Sequence, residues 1–436
     1  MTNRKALAFT SKAEVEYMRN KIWPAPGAGS GYYVRHACSR YGLRAFLLFV
    51  ILFLSVPLPT LAQSSARPSP VEVVAPKPPT PVIIEGKRVL VYELHITNFG
   101  PSSLTLTQIQ VFASGSGSSP GEKRGGDKLA DYNGSSLSEL LRPVDEPSQL
   151  GESSDTASKS NPGKLDIGRR VIAFMYVTVP ADLRISALRH RFSFDVAEPS
   201  RSKGTPNDES ALDGIMVPVL RQSPLVLSSP FRDGAWLAGN GPSNSSAHRR
   251  SVTAIDGRAY ISQRFAIDWD LVGNNGNTFH DSRERNENFW GFGQPVLAVA
   301  DGEVTEVVDG IPDNTPGKLP PVTVQTIAGN HVIVRITADT YVAFAHLKQG
   351  SIRVRLHQKI KRGAQLAQVG NSGNTAGAHL HFQVTDGNSV FAAEGIPFIF
   401  DKFRFLGFGK DFEQDHHPDL PRSRTLPADD SVIAFP

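Results

Sequence analysis

Cysteine is nearly absent from this chain of 436 residues, in which Cys38 is the single example. That residue lies in a basic N-terminal segment that is typical of export signals, so the mature protein is expected to hold no thiol. The absence excludes disulfide bonds, thiolate metal sites and a cysteine nucleophile from the exported part. A metal site in this protein has to be built from histidines and carboxylates.

Long apolar runs are also missing. The longest, Ala45 to Val56, covers 12 residues, whereas a transmembrane helix needs ~20. Arg40 and Arg44 precede this run, and prolines and small residues follow it. This pattern predicts a secretory signal peptide with cleavage after Ala62 and export to the periplasm or cell envelope. An uncleaved membrane anchor is the alternative, and it is the only membrane contact that the sequence suggests.

Excess positive charge is missing from the predicted mature chain. Residues 1–62 contain eight Lys or Arg and two Asp or Glu, while the whole chain has a formal charge of +4. The remainder therefore carries a charge of about −2. The basic character of the sequence belongs to its targeting segment, and we expect no nucleic-acid partner. The oligomeric state leaves no signature in the sequence.

Alternating apolar and polar residues predict an all-β fold with two domains. Alternation runs from Arg88 to Thr97, and a turn then leads to a second strand, Leu104 to Phe112. Short strands separated by turn residues predict an immunoglobulin-like β-sandwich. The predicted organisation is an N-terminal extension with the signal peptide at 1–62, a Pro-rich linker at 63–82, the sandwich at 83–222, a second β domain at 223–401, and a C-terminal tail at 402–436 that packs on the core.

Other segments show the same alternation. In the first domain they are Arg170–Val179, Arg189–Val196 and Met216–Leu220. In the second domain they are Val296–Ala300, Glu303–Val308, Val322–Ile327, His331–Thr337, Tyr341–His346, Leu366–Val369 and Leu380–Val384. Polar stretches at 114–127 and 144–164 are expected to be surface insertions. No internal repeat is visible, which argues against solenoids and propellers.

The segment His379-Leu380-His381 carries the clearest chemical signal. Two histidines two residues apart in a strand face the same side, with Cα atoms about 7 Å apart. They follow a loop rich in Gly, Asn and Ser that ends at Gly377. Two imidazoles at this spacing predict part of a metal site.

Three segments of the second domain form a specific combination. Arg264 to Trp269 contains an aspartate, Tyr341 to Leu347 contains Ala-His-Leu, and Gly370 to Phe382 contains the paired histidines. In order and spacing these segments resemble the LytM/lysostaphin family of peptidoglycan metalloendopeptidases, over residues 260–400. The resemblance implies a two-sheet β core (the duplicated hybrid motif), one Zn²⁺ ion, and hydrolysis of peptide bonds in cell-wall cross-links. Peptidoglycan stem peptides would be the substrate.

By this resemblance, Asp268 and His381 are metal ligands, and His346 and His379 are a catalytic pair beside the metal. The chemistry is reasonable on its own terms. A zinc ion with three protein ligands and one open position lowers the pKa of a bound water toward ~7. Two imidazoles that do not bind the metal can then orient this water, stabilise an oxyanion or protonate the leaving amine.

One position departs from the family. The family pattern is His-x-x-x-Asp, in which the histidine is the third ligand, but this chain has Arg264 four residues before Asp268. Alternation in a strand would place both side chains on one face. Arginine does not ligate zinc, because it stays protonated.

Three outcomes follow for the third ligand. In the preferred one, another histidine supplies it and Arg264 binds a substrate carboxylate. The candidates are His280 and His248, and His248 is preferred because it leads into a strand beside that of Asp268. In the second outcome, Arg264 pairs with Asp268, and a catalytically degenerate module binds cell-wall peptide or regulates another cell-wall hydrolase. In the third, a weak site with two ligands remains. The predicted substrate-binding residues are Arg264, Tyr341 and Asn371.

Other catalytic patterns are missing. The G-x-S-x-G pattern occurs only at 117–121, inside the Gly/Ser stretch that is expected to be a surface insertion, so it does not mark a nucleophile elbow between a strand and a helix. The loop from Gly370 to Gly377 lacks the Lys-Ser/Thr ending of a phosphate-binding loop. The remaining histidines of the mature chain are expected to be structural or solvent-exposed: His95, His190, His331, His357, His416 and His417.

Overall fold

The computed structural model describes residues 69–115, 126–144, 161–196, 211–274, 276–413 and 417–436. The predicted signal peptide and most of both predicted insertions lie outside these residues. Among the helices of the described segments, none is both long enough and apolar enough to cross a membrane. The α-helices described are α1 (Gly134–Ser138) and α2 (Ala247–Arg250), and 3₁₀-helices cover Asn286–Asn288 and Gly409–Asp411.

The N-terminal region is a sandwich of two antiparallel sheets. Its strands are β1 (Val71–Val74), β2 (Val82–Ile84), β3 (Lys87–Asn98), β4 (Leu104–Ser114), β5 (Lys128–Asn133), β6 (Leu141–Pro143), β7 (Lys164–Leu165), β8 (Arg170–Thr178), β9 (Ala187–Val196) and β10 (Ala211–Pro218). One sheet has the order β1-β3-β8-β6, with β2 paired to β3. The other has the order β10-β9-β4-β5, with β7 paired to β4.

Strand β3 contributes side chains to the hydrophobic cores of both the N-terminal and the C-terminal regions. Leu90, Tyr92 and other even-numbered residues point into the core of the sandwich, whereas Val89 and Val91 join the core of the C-terminal region. Period-two alternation of a strand buried on both faces accounts for this division. Glu93 belongs to the face that is turned toward the C-terminal region, and it is 1% exposed.

One large sheet dominates the C-terminal region. The strands of this region are β11 (Leu225–Leu227), β12 (Ala235–Gly239), β13 (Thr253–Ile255), β14 (Arg258–Tyr260), β15 (Ile267–Val272), β16 (Pro295–Leu297), β17 (Gly302–Val308), β18 (Asn330–Thr337), β19 (Thr340–Leu347), β20 (Lys359–Ile360), β21 (Gln365–Gln368), β22 (Leu380–Thr385), β23 (Phe398–Phe408), β24 (Leu420–Thr425) and β25 (Ser431–Ala434). The large sheet has the order β11-β23-β25-β12-β15-β22-β19-β18-β17-β20, with β24 paired to β23. Strands β13 and β14 form a separate two-stranded sheet, and so do β16 and β21.

The middle of the large sheet positions the residues of chemical interest. Strand β15 pairs with β22, and β22 pairs with β19, both in antiparallel register. Trp269, Phe344 and Phe382 project from these strands into the core and are at most 1% exposed. Because side chains alternate along a strand, residues such as Asp268 and His381 emerge on the opposite face of the sheet.

The all-β class is confirmed, and three segments differ from the sequence prediction. Val71–Val74, in the predicted linker, is strand β1 and pairs with β3. The predicted strand Val322–Ile327 is a turn, which the carbonyl of Thr323 closes by accepting the N–H of Ile327 at 2.9 Å. Two prolines before it lack the N–H that a sheet ladder needs. The predicted tail contributes strands to the large sheet. The immunoglobulin-like topology stays a prediction.

Candidate metal centre

Asp268 and His381 face each other across neighbouring strands. They are direct partners in the register of β15 with β22, and His381 Nδ1 lies 2.9 Å from Asp268 Oδ1. The side chain of His381 is 3% exposed and that of Asp268 is 13% exposed. The backbone ladder fixes both Cα positions, so strand alternation alone accounts for this half of the centre.

A third donor comes from outside the sheet. His248, on α2, places Nε2 3.3 Å from Asp268 Oδ2. Its ring lies perpendicular to that of His381, with 4.7 Å between the ring centroids. One donor atom from each of His248, Asp268 and His381 lies within 4.8 Å of the others. The other candidate, His280, lies away from this group and pairs with Asp281.

The route that brings His248 to Asp268 differs from the predicted one. The strand beside Asp268 is β12, which precedes His248 and sets Gly239 opposite Asp268. The strand after α2 is β13, which pairs with β14 in its own small sheet. The chain therefore leaves the large sheet after Gly239 and returns His248 over Asp268 through a short helix.

Each of the two histidine ligand candidates has a partner for the nitrogen that faces away from Asp268. His248 Nδ1 lies 3.0 Å from the carbonyl oxygen of Asn240, and His381 Nε2 lies 2.9 Å from Gln383 Oε1. With protons on these nitrogens, the other nitrogen of each ring is left with its lone pair toward Asp268. Sequence reasoning missed both partners. For Gln383 a signal was present, because it lies two residues after His381 on the same strand face.

The donor set fits Zn²⁺. Two imidazole nitrogens and one carboxylate oxygen are ligands that zinc prefers. Two atoms that each lie about 2.0–2.1 Å from a tetrahedral ion are about 3.3 Å apart. The atoms of His381 and His248 nearest Asp268 lie at 2.9 Å and 3.3 Å from its carboxylate. Three protein ligands leave a fourth position for water, as in catalytic zinc sites.

His346 enters the site through a β-bulge. Ala343 and Ala345 face the cleft side of β19, so regular alternation would point His346 into the core beside Phe344. The register of β19 with β18 shifts at this point, and His346 adopts a left-handed backbone with φ of +59°. The extra residue returns Leu347 to the core and turns His346 toward the cleft.

The ring of His346 is held by a backbone carbonyl. Its Nδ1 donates to the carbonyl oxygen of Ser372 at 2.8 Å, which leaves Nε2 available to the cleft. The ring of His379 lies beside it, with 5.0 Å between the centroids. His379 Nδ1 is 3.0 Å from the carbonyl oxygen of Gly377, and its Nε2 is 3.4 Å from Asp268 Oδ1.

The charges of the site shift the ionisation of its members. Burial alone would raise the pKa of the Asp268 carboxyl, but His248 and His379 beside it hold that pKa well below its usual value. Burial, the largest single influence, would lower the pKa of His379, but the charge and hydrogen bond of Asp268, together with the charge of Asp270 and the bond to Gly377, raise the pKa to about 9. Burial, followed by repulsion from His379 and His381, holds the pKa of His346 well below its usual value.

These groups line a cleft of about 270 Å³. His346 and His379 form part of its polar wall, and Ile327, Val390 and Phe391 form part of its apolar wall. The segment that follows β12 contributes further lining through Asn240, Ala247 and His248. The cleft therefore combines a possible metal site, two further imidazoles and an apolar surface.

Arg264 does not reach this cleft. Residues 262–265 form a turn, and β15 begins only at Ile267, so the alternation that would align Arg264 with Asp268 does not apply. Arg264 is 3% exposed and donates to the carboxylates of Glu93 and Glu394. The structure does not support the prediction that Arg264 binds a substrate carboxylate, and it does not pair Arg264 with Asp268.

The two other predicted substrate-binding residues do not line the cleft. Asn371 is fully buried, and its side-chain amide donates to Asn286 Oδ1 at 2.8 Å, which makes it a turn residue. Tyr341 is partly buried and packs against an apolar cluster that contains Ala343 and Ala345. It shares the strand face of these two alanines, at the end of β19 that is farther from His346.

The other histidines of the described residues lie outside the cleft. His331 is buried and bonds to a backbone carbonyl and to Glu306. His190 is buried beside the Tyr92 hydroxyl, and the side chain of His357 is 74% exposed. His416 lies outside the described residues.

The sequence comparisons place part of this region in a known family. Residues 289–392 match peptidase family M23. This range contains His346, His379 and His381, and it begins after Asp268. The cell division protein DipM of Caulobacter vibrioides is 33% identical over 92 residues, which are 21% of this chain and 12% of that protein. The chain thus covers about an eighth of the length of this relative.

Solved structures of similar proteins include two peptidases. The catalytic domain of lysostaphin from Staphylococcus simulans is 18% identical to this chain. The match covers 38% of this chain and 88% of the lysostaphin chain, with a TM-score of 0.21. A zinc-containing peptidase from Vibrio cholerae is 17% identical. The match covers 47% of this chain and 80% of that peptidase chain, with a TM-score of 0.17. Because these TM-scores are low, the assignment depends on the match of residues 289–392. Residues 289–392, in the C-terminal region of this chain, thus match a domain of peptidase family M23, of the LytM type.

Proposed function

We propose that this protein is a zinc-dependent endopeptidase that hydrolyses peptide bonds in peptidoglycan cross-links. The observation that carries the proposal is the position of His248, which offers a third ligand where Arg264 offers none. The match to peptidase family M23 supports the reaction class. The resemblance of the three sequence segments supports cell-wall stem peptides as the substrate. The signal-like N-terminus supports action in the periplasm or cell envelope.

His248, Asp268 and His381 would hold the zinc ion. When bound, the ion supplies a Lewis acid and lowers the pKa of a bound water toward ~7. Asn240 and Gln383 fix the tautomers of the two histidine ligands, which keeps the ligating nitrogens unprotonated. Such partners of ligands typically change metal affinity by about 10- to 100-fold when they are removed.

His346 and His379 would move the protons of the reaction. Since Nδ1 of His346 donates to Ser372, its Nε2 is free to accept a proton from the attacking water. His379 presents Nε2 to the same cleft from a ring that Gly377 holds. It can stabilise the developing oxyanion or pass a proton to the leaving amine. The apolar wall at Val390 and Phe391 would receive a side chain of the stem peptide.

The proposal is tested on the full-length protein, purified without a histidine tag. We expect one zinc per chain by plasma mass spectrometry. Incubation with purified peptidoglycan should release soluble fragments, in which mass spectrometry identifies newly formed peptide ends. A chelator should stop the release and added Zn²⁺ should restore it.

Two variants provide the comparison. His381→Ala should lose both zinc and cleavage, whereas His331→Ala, which removes a buried histidine outside the cleft, should keep both. A protein that binds no zinc at neutral pH contradicts the proposal. A protein that binds zinc and peptidoglycan but releases no fragments supports the non-catalytic module instead.

A further inference from the structure

A buried ion cluster joins the sandwich to the M23-type region. It consists of Glu93, Arg249, Arg264 and Glu394, whose side chains are between 1% and 4% exposed. Arg264 Nη2 lies 2.8 Å from Glu93 Oε2 and 2.7 Å from Glu394 Oε2. Arg249 pairs with Glu93 Oε1. Two acids and two bases balance each other, as burial of charge requires.

Arg249 ties the chain beside His248 to the sandwich. It directly follows His248 in α2, and its guanidinium lies among the strands of the sandwich. Besides Glu93, it donates to the carbonyl oxygen of Tyr92 at 2.9 Å, and its Cζ lies 5.0 Å from the ring centre of Phe174. The residue next to the candidate ligand is therefore held by strands β3 and β8.

Two other residues of this segment also contact the sandwich. Asn244 Nδ2 donates to the carbonyl oxygen of Phe174 at 2.8 Å. Arg250 donates to the carbonyl oxygen of Glu139 and lies over the ring of Phe174. Helix α2 has only four residues and no side-chain cap bond. A helix this short is not stable by itself. Its position is fixed by these contacts with the sandwich, together with the bonds of Ser243 to Asp429 and of Ser246 to Asn240 in the C-terminal region.

We propose that Glu93 of the sandwich is a positioning residue for the metal centre, which acts through Arg249 to hold His248 at the third ligand position. The proposal rests on the zinc site described under the proposed function. It follows from the contrast between the ligands: the sheet ladder fixes Asp268 and His381, whereas His248 lies on a segment that side chains of another region hold in place. The N-terminal sandwich would thus help to build the zinc site, although Glu93 and Arg249 are 156 residues apart in the chain.

The first test measures zinc affinity of the full-length protein by competition with a chromophoric chelator. Glu93→Gln keeps the size of the side chain and removes its charge. We expect zinc affinity to fall by about 10- to 100-fold, the range for residues that orient ligands. The matched control is Glu394→Gln, which also removes a buried carboxylate from Arg264 but does not contact Arg249. Its zinc affinity should stay within about threefold of the unmodified protein.

A double-mutant cycle separates positioning from a general weakening of the fold. In a His248→Ala background, Glu93→Gln should cause no further loss of zinc affinity, because the ligand through which it acts is gone. Equal losses in both backgrounds would overturn the proposal, since they would show that Glu93 acts on the whole site through stability.

A charge-balanced variant covers the case in which Glu93→Gln does not fold. Glu93→Gln combined with Arg249→Met leaves Arg264 and Glu394 as a neutral pair. We expect it to fold, by circular dichroism, and to bind zinc about 10- to 100-fold more weakly. Unchanged affinity in a folded Glu93 variant, together with loss in His248→Ala, would overturn this inference and leave the proposed function standing. No zinc binding by the unmodified protein would overturn both.

Discussion

The two sides of the candidate zinc site are held by different kinds of structure. Asp268 and His381 lie on adjacent strands and are set by backbone hydrogen bonds of the large sheet. His248 lies on a four-residue helix that is held by side chains of the sandwich. The sheet side is local, since its residues belong to one continuous ladder. The helix side depends on a second region of the molecule.

Under the proposed function, this difference explains how the third ligand can come from outside the sheet. A ligand on a ladder is fixed by its position in the strand and by the period of two. A ligand on a side-chain-anchored segment can come from any part of the chain that reaches the same point. Arg264, at the position of the missing histidine, instead joins the buried cluster that anchors the new segment.

The largest expected effect is the loss of the ligand on the sheet. His381→Ala should reduce zinc affinity by more than the about 10- to 100-fold that orienting partners cause, and fragment release should fall to background. In His248→Ala, imidazole added to the solution should restore part of the activity, because the side chain of His248 is 12% exposed. In His381→Ala it should not, because that ring is 3% exposed. Equal rescue of both variants by imidazole would contradict this difference between the ligand on the sheet and the ligand on the short helix.

Removal of either proton-transfer histidine should have the next largest effect. His346→Ala and His379→Ala should each lower fragment release by about 10²- to 10⁴-fold, as is usual for general acid–base groups. Their zinc content should match that of the unmodified protein, because neither residue belongs to the ligand set. The measurement is a pair of assays, zinc content and fragment release, on the same preparation. Loss of zinc in either variant would assign that residue to the metal.

Acid should weaken the sandwich through His190. Burial lowers the pKa of His190 from 6.5 to about 4, and the neighbouring Tyr92 hydroxyl, at 2.7 Å from Nε2, adds no charge. The unfolded state takes up a proton first, so the stabilisation is complete above pH 6.5 and is lost as the pH falls toward 4. At pH 4 the loss is about 3 kcal/mol. Urea unfolding at pH 7 and pH 4 should show it.

His190→Gln is the matching variant for this pH dependence. The amide does not titrate, so the difference in unfolding free energy between pH 7 and pH 4 should shrink by about 3 kcal/mol. An unchanged difference would mean that His190 does not supply the acid sensitivity of the sandwich.

The smallest expected effect concerns Gln383, the hydrogen-bond partner of the ligand candidate His381. Gln383→Leu removes the acceptor of His381 Nε2–H and should weaken zinc binding by about tenfold. Gln365→Leu, in a strand outside the large sheet, is the control and should leave zinc affinity unchanged. A loss for Gln383→Leu larger than that for Glu93→Gln would show that orientation on the sheet side matters more than the anchor in the sandwich.

Strand alternation predicted that His379 and His381 share a face, and the structure places both beside Asp268. Asp268 itself was singled out by the family resemblance, and its register opposite His381 appears only in the structure. Most predicted strands also appear in the structure. Alternation failed for Arg264, which lies in a turn before the strand begins, and period two alone would have sent His346 into the core.

The helix half could not be derived from local pattern. His248 was preferred because it was expected to lead into a strand beside that of Asp268, but β12, which lies beside that strand, precedes His248. Its position depends on Glu93, whose distance in sequence from Arg249 is 156 residues. A contact of this range depends on how the sandwich packs against the large sheet, and no periodicity in one segment contains that information.

The bulge at His346 sets function against stability. A residue other than glycine with a left-handed backbone costs about 1–3 kcal/mol, and His346 has φ of +59°. Glycine would adopt the same turn at less cost, so stability alone does not account for an imidazole at this point. Selection for a more stable protein would favour replacing His346, whereas selection for hydrolysis would retain it together with the strained turn. The bulge is thus a place where improved stability and lost activity are expected to come from the same substitution.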